Sequence, residues 1–288
     1  MAVILITGAN GQLGNELKVV SEKFYGYDFI FTDVDTLDMT NPEQTAEFIN
    51  TSRPDWIINC AAYNLVDKAE SEPDFAMAVN GTAVNNLTKT IEGSECKLIH
   101  ISSDYVYDGR LNVPYSELSP TDPLSAYGKS KLAGEKYALL HHGSMVIRTS
   151  WLYSSFGNNF VKTILKNAAG KESLRVVFDQ TGTPTYAADL AEAIMHIISG
   201  VIRNQIAFNA GVNNYSNEGV CTWYDFATEI IRESNLKCDI IPVLTKDFKL
   251  AAQRPAYSVM DKSKIKENYS ISIPHWRSSL QKCIKILK

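Results

Sequence analysis

Val3-Ile4-Leu5-Ile6 followed by Gly8-Ala9-Asn10-Gly11-Gln12-Leu13-Gly14 decides the fold. Four consecutive apolar residues suit a strand buried on both faces of a parallel sheet. Three glycines at three-residue spacing then lead into a helical pattern through Leu17 and Val20. Glycine lets a strand-to-helix turn stay tight and lets a pyrophosphate come close. The helix start offers that anion free N–H groups and partial positive charge. In this setting Gly8, Gly11, Gln12, Leu13 and Gly14 are candidate dinucleotide contacts.

Outward from that turn the rhythm repeats. Strands read at Phe29–Phe31, Trp56–Cys60, Leu98–Ile101 and Met145–Ile147. Helices read between them: one opened by Asn41-Pro42, one over about Asp74–Ile91, one over about Ser125–His141. Alternating strands and helices predict an α/β fold, a doubly wound parallel sheet of Rossmann type over residues 1–150. Beyond Trp151 the pattern loosens, with helices at Phe160–Ala168, Ala187–Ile198, Trp223–Ser234 and Pro274–Leu287 and strands at Arg175–Phe178 and Ile240–Ile241. A smaller mixed α/β lobe over 151–288 is expected to bind substrate, with part of about 172–200 returning to the first domain. The ligand site belongs in the cleft between them.

Composition narrows the function. The 288 residues carry a net charge of −4, are 45% hydrophobic and hold no run of five like charges, so nucleic acid and anionic membranes are not expected partners. No apolar stretch approaches the ~20 residues that span a bilayer, and no leader pattern is visible. Five cysteines, Cys60, Cys96, Cys221, Cys238 and Cys283, lack Cys-x-x-Cys spacing and read as reduced thiols in a cytoplasmic protein.

Asp33 ends the second strand, where a carboxylate accepts from both ribose hydroxyls of NAD and repels a 2′-phosphate. No arginine lies nearby, which favours NADH over NADPH. Asp38 and Met39 are placed to touch the adenine, and Ala61-Ala62-Tyr63 follows the third strand with side chains small enough at its start for close approach. Asn80 falls inside a helix and reads as solvated.

Ser102-Ser103-Asp104-Tyr105 ends the fourth strand, and Tyr127-Gly128-Lys129-Ser130-Lys131 begins a helix. Tyr127 and Lys131 share a helix face; Lys129 does not. A phenol with a pKa near ~10 is a reluctant acid at neutral pH, and a neighbouring ammonium is expected to lower it. The hydroxyl then gives its proton to an alkoxide as hydride reaches carbon, while Ser103 holds the same oxygen.

Together with Val66–Glu70, Arg148–Tyr153, Asp179–Thr185 and Arg254-Pro255, these pieces resemble the extended short-chain dehydrogenase/reductases. Within them the chain is most similar to the dTDP-4-dehydrorhamnose reductase group. The resemblance implies Tyr127 as proton donor, Lys131 as its partner and holder of the nicotinamide ribose, and Ser103 in a position where the family usually has threonine. It implies that Gly11, Gln12, Leu13, Asp38, Met39, Ala61, Ala62 and Tyr63 line NADH or NADPH, beside the candidate contacts Gly8, Gly14, Asp33 and Ser102. Asp104, Trp151 and Arg254 would meet a nucleotide-linked deoxysugar whose 4-keto group is reduced, feeding surface polysaccharide. Arg254 reads equally as a structural ion pair. A nucleotide-sugar epimerase and a regulatory subunit of methionine adenosyltransferase type are the rival readings. Some relatives dimerise through magnesium held by glutamates. Glu16 and Glu192 fit two such positions, but the final helix is basic, so no metal is expected and a homodimer stays open.

Overall fold

The computed structural model describes residues 1–288. The chain runs β1 (Ala2–Thr7), α1 (Gln12–Ser21), β2 (Tyr27–Phe31), α2 (Pro42–Ser52), β3 (Trp56–Asn59), α3 (Val66–Ala69), α4 (Pro73–Met77), α5 (Ala83–Thr90), β4 (Lys97–Ser103), α6 (Ala126–Ala138) and β5 (Ser144–Thr149). It continues β6 (Leu152–Tyr153), α7 (Phe160–Ala168), β7 (Ser173–Val177), β8 (Thr181–Gly182), β9 (Thr185–Tyr186), α8 (Ala187–Ile202), β10 (Gly211–Asn214), β11 (Cys221–Thr222), α9 (Trp223–Ser234), β12 (Asp239–Val243), α10 (Ser263–Tyr269) and α11 (Trp276–Leu287).

Six parallel strands form one sheet in the order β10-β5-β4-β3-β1-β2. The chain leaves β1 toward β2 and returns to its other side at β3. The crevice beyond β1 and β3 is therefore the switch point where such sheets take ligands. Strand alternation feeds two cores. Ile4, Ile6, Ile58, Ile99, Met145 and Ile147 face α1 and α8. Leu5, Ile57, Leu98 and Val146 face α2, α5 and α6.

A third core, built on Tyr153, Phe226, Ile230, Trp276 and Leu280, gathers α7, α9 and α11. Around it lie three two-stranded pairs, β7 with β12, β8 with β11 and β6 with β9. Of the residues near 172–200, β7 stays with this lobe while α8 packs against α1; Ile265 and Tyr269 of α10 also join the first core.

Two local departures from the sequence reading have physical causes. The helix expected over Asp74–Ile91 carries a π-helical turn at Ala78–Thr82. Asn80 sits in that turn, fully buried rather than solvated. Its Oδ1 accepts from Tyr63 N, and its Nδ2 donates to Tyr63 O and Ser130 Oγ. A π turn adds the residue that lets this side chain face inward. Strand β10 was hidden because its buried residues Asn213 and Asn214 are polar, leaving no apolar run to read.

Candidate active site

The glycine loop shows why its residue types are needed. Gly8 has φ +63, and a Cβ there would lie 2.6 Å from Ala61 Cα. Glycine alone lets the ends of β1 and β3 touch at the switch point. A Cβ on Gly14 would lie 2.5 Å from Ala9 Cα, so α1 could not seat on its own loop. Gly11 caps α1 without a side-chain bond, which leaves the first helical amides available to an anion.

Beside this loop opens a cleft of about 850 Å³, within the range of small-molecule sites. Gly8, Gly11, Gln12, Leu13, Gly14 and Ala62 line its dinucleotide end; Ser102, Ser103, Asp104, Tyr127, Lys131, Trp151 and Arg254 line the rest. Five sequence candidates fall outside the lining. Asp33 turns to the loop itself, its carboxylate accepting from Asn10 N and Val34 N at 2.8 Å each. Asp38 accepts from Thr40, and Met39 is buried with Leu37 and Ala83. Ala61 is the residue pressed against Gly8, and the Tyr63 hydroxyl donates to Glu72 at 2.7 Å.

The carbonyl-handling groups meet through close packing of α6. Ser125 caps the helix by accepting from Gly128 N at 3.1 Å. Gly128 presses on the carbonyl of Tyr105 with no room for a Cβ. That contact brings Tyr127 over the end of β4. Ser103 donates to Asp104 Oδ1 at 3.1 Å and lies close enough to lower the Tyr127 pKa. The phenol also reaches Asn64 Oδ1 at 3.4 Å.

The electrostatics differ from the sequence expectation. Burial pushes Tyr127 up to about 12, Ser103 opposes this, and Asp104 adds to it. The Lys131 ammonium donates to Ile101 O at 2.7 Å rather than to the phenol. Burial lowers Lys131 itself to about 8, with Glu135 and Cys60 raising it. Tyr127 is thus a protonated donor at neutral pH rather than a phenolate. Lys129 is exposed on another face, as its spacing required.

Asp104 is buried, and its Oδ2 has no hydrogen-bond partner. Burial raises its pKa to about 6, although the facing Ser258 and Ser103 hydroxyls pull the other way. Trp151 holds a left-handed backbone at φ 48 and stacks on Trp223 at 3.6 Å and 8°. A non-glycine residue held there is a strain that persists where its surroundings fix it, often at ligand sites. Arg254 forms the ion pair: Nη2 donates to Asp67 Oδ2 at 2.6 Å and Nη1 to Oδ1 at 3.1 Å. Glu16 is buried and accepts from Ser154, and Glu192 is exposed and pairs with Lys23, so the two glutamates serve separate contacts.

Sequence reading missed Asn64, Trp223 and a buried Glu135–Arg148 pair. Asn64 follows the quoted Ala61–Tyr63 run, and Glu135 sits one turn beyond Lys131, so both had a positional signal. Trp223 comes from a distant element and had none.

A doubly wound sheet, an uncapped glycine-rich helix start and a Ser–Tyr–Lys cluster in one cleft define a nucleotide-dependent reductase class. The chain belongs to the RmlD substrate binding domain family, whose model matches residues 1–288. It is 39% identical over 286 residues to the spore coat polysaccharide biosynthesis protein SpsK of Bacillus subtilis strain 168, covering 99% of this chain and 98% of that one. It is 37% identical over 288 residues to the dTDP-4-dehydrorhamnose reductase of Aggregatibacter actinomycetemcomitans, covering 98% of each. The crystal structure of dTDP-4-dehydrorhamnose reductase from Bacillus anthracis str. Ames in complex with NADP superposes with a TM-score of 0.91 at 38% identity, covering 99% of this chain and 100% of that one.

Proposed function

We propose that the chain reduces the 4-keto group of dTDP-4-dehydro-L-rhamnose to dTDP-L-rhamnose with NADH or NADPH, the last step in making this sugar donor for bacterial surface polysaccharide. The observation that carries the reading is the convergence of Ser103, Tyr127 and Lys131 in the cleft entered by the glycine loop. The names of full-length relatives supply the sugar.

The residues present fit a dinucleotide. The free amides of α1 suit its pyrophosphate, and Gly8, Gly11 and Gly14 leave its backbone room. When bound, the reduced nicotinamide supplies the hydride. Lys131, whose amine faces the cleft floor, is assigned to the nicotinamide ribose, and Ser102 lies beside it. Tyr127 gives its proton to the C4 oxygen as negative charge develops there, and Ser103 donates to the same oxygen. The unpartnered Oδ2 of Asp104 accepts from a sugar hydroxyl, and Trp151 offers its ring to the sugar face. Asp33, which favoured NADH in the sequence, instead accepts from the loop amides of Asn10 and Val34. The B. anthracis neighbour is described with NADP, so kcat/KM with each cofactor decides the preference.

We further propose that residues 151–288 supply most of the substrate contacts, and that the enzyme works in the cytoplasm. No helix is long and apolar enough to cross a membrane. Whether it forms a homodimer is read by sedimentation equilibrium. The test of the function is purified protein with the 4-keto sugar nucleotide and NADH or NADPH. Cofactor oxidation with formation of dTDP-L-rhamnose is expected. Interconversion of UDP-hexoses without net oxidation would indicate an epimerase, and tight cofactor binding without turnover a regulatory subunit.

A further inference from the structure

Beneath the cleft lies a charged pair, Glu135 and Arg148, that reaches the lining through Ser102. Glu135 is buried on α6, one helical turn after Lys131 and on the same face. Its Oε1 accepts from Ser102 Oγ at 2.5 Å and from Arg148 Nε at 2.9 Å; its Oε2 accepts from Arg148 Nη2 at 2.7 Å. Ser102 on β4 and Arg148 on β5 are register partners, so both point from adjacent strands at the one carboxylate. Arg148 is fixed from behind: its Nη1 donates to the Tyr107 hydroxyl at 2.9 Å, and its guanidinium sits 5.0 Å from that ring's centre. Three hydrogen bonds from two neighbours, Ser102 and Arg148, thus set the Glu135 rotamer.

We propose that Glu135, clamped by Arg148, is a positioning residue for the reductase site: it places a negative charge one turn below Lys131 and orients Ser102 on the cleft wall. The proposal rests on the reading of Lys131 as the cofactor-holding cation. Lys131 has only a carbonyl, Ile101 O, as its bonded acceptor, and a buried ammonium without a carboxylate is costly. The charged and titratable groups that face it are few. Cys60, beyond β3, is held in its thiol form by burial, and His100 on β4 is held neutral. Tyr127 on α6 is protonated, and Arg148 on β5 is taken up by Glu135. Glu135 is the buried carboxylate on the same helix face one turn away, and it raises the Lys131 pKa against the effect of burial.

The sign follows directly. Lys131 acts as a cation, so activity falls as pH rises through its pKa. Without the carboxylate that pKa is lower, and the alkaline fall comes earlier. In Glu135→Gln the alkaline limb of the kcat profile is expected to move down by roughly 1–3 pH units, with the KM for the ketosugar changed less than threefold. Glu135→Asp, which keeps the charge, is expected to recover most of the shift. A Glu135→Gln enzyme that loses thermal stability but keeps its alkaline limb overturns the proposal, since a purely structural role predicts that outcome. If Glu135→Gln does not fold, the ammonium is read in wild-type protein by carbon-13 labelling of lysine Cε, with Lys131 assigned through Lys131→Arg. Proton loss near pH 8 supports the proposal, and loss below about pH 7 overturns it. Absence of any ketosugar reduction by wild-type enzyme would instead remove the functional reading, which separates the two failures.

Discussion

Asp104 carries one of its two oxygens unpartnered in a buried cleft, and this has a measurable cost. Its pKa of about 6 lies above the ordinary carboxylate value of ~3.9. A raised native pKa means that the folded state holds the proton more tightly. The contribution favours folding below about pH 4 and is lost as pH rises through about 6. Asp104→Asn, which is neutral throughout, is therefore expected to be more stable than wild type by about 3 kcal/mol near pH 8, with the difference gone by about pH 4. Urea unfolding at the two pH values checks it. The same substitution should raise the KM for the sugar, because an amide nitrogen cannot accept. Tyr127 is the complementary case, a buried hydroxyl kept protonated. Tyr127→Phe is expected to lower kcat by about 10²–10⁴-fold while the dissociation constant for NADH, read by fluorescence, stays within a factor of about two. Equal kcat would remove Tyr127 from the proton transfer. These residues were legible because their chemistry is local: a serine at a strand end, and a tyrosine and lysine one turn apart. The pKa logic was not legible, because the direction in which the Lys131 amine points depends on the Ile101 carbonyl across the sheet edge.

Elements are set by close approach as much as by propensity. Gly134 lies inside α6, where alanine would normally favour the helix by about 1 kcal/mol. Its missing Cβ is filled by the carbonyl of Asn80 in the π-helical turn, and His100 Nε2 is 3.1 Å away. Gly134→Ala is expected to destabilise by about 1–3 kcal/mol, the reverse of the helix-propensity sign, and to weaken the Asn80–Ser130 bond. A stabilised variant in thermal unfolding would contradict the packing account. The first five sheet strands could be read as continuous apolar runs because alternate residues feed two cores, and most helices from their periodicity. The two-residue strands β6, β8, β9 and β11 are too short for any period to register. β10 is buried through asparagines, whose side chains find partners only once the chain has folded: Asn214 Nδ2 donates to Tyr115 O and Asp261 O.

Across the whole molecule, the two lobes are joined over the cleft by a few polar contacts. Arg254 and the Ala252 amide both bind Asp67 of α3, and Asn159 binds Gln12 at the start of α1. The Asp67–Arg254 pair keeps side-chain exposures of 43% and 18%, so its effect on stability is expected to stay below about 1 kcal/mol. Its position at the cleft gives it more leverage on binding: Asp67→Asn is expected to raise the KM for the sugar nucleotide several-fold with little change in Tm. A fall in Tm with unchanged KM would mark a purely structural pair. Such links were invisible in the sequence because Asp67 and Arg254 are brought together only when the second lobe folds back. The central claim is that this shared cleft reduces a nucleotide-linked 4-keto sugar. The most direct measurement supplies dTDP-4-dehydro-L-rhamnose and C4-deuterated NADH, then locates the deuterium by NMR. Deuterium at C4 of dTDP-L-rhamnose, with one cofactor oxidised per sugar reduced, is the predicted result. An intact cofactor and an unreduced sugar in the presence of folded protein would contradict it.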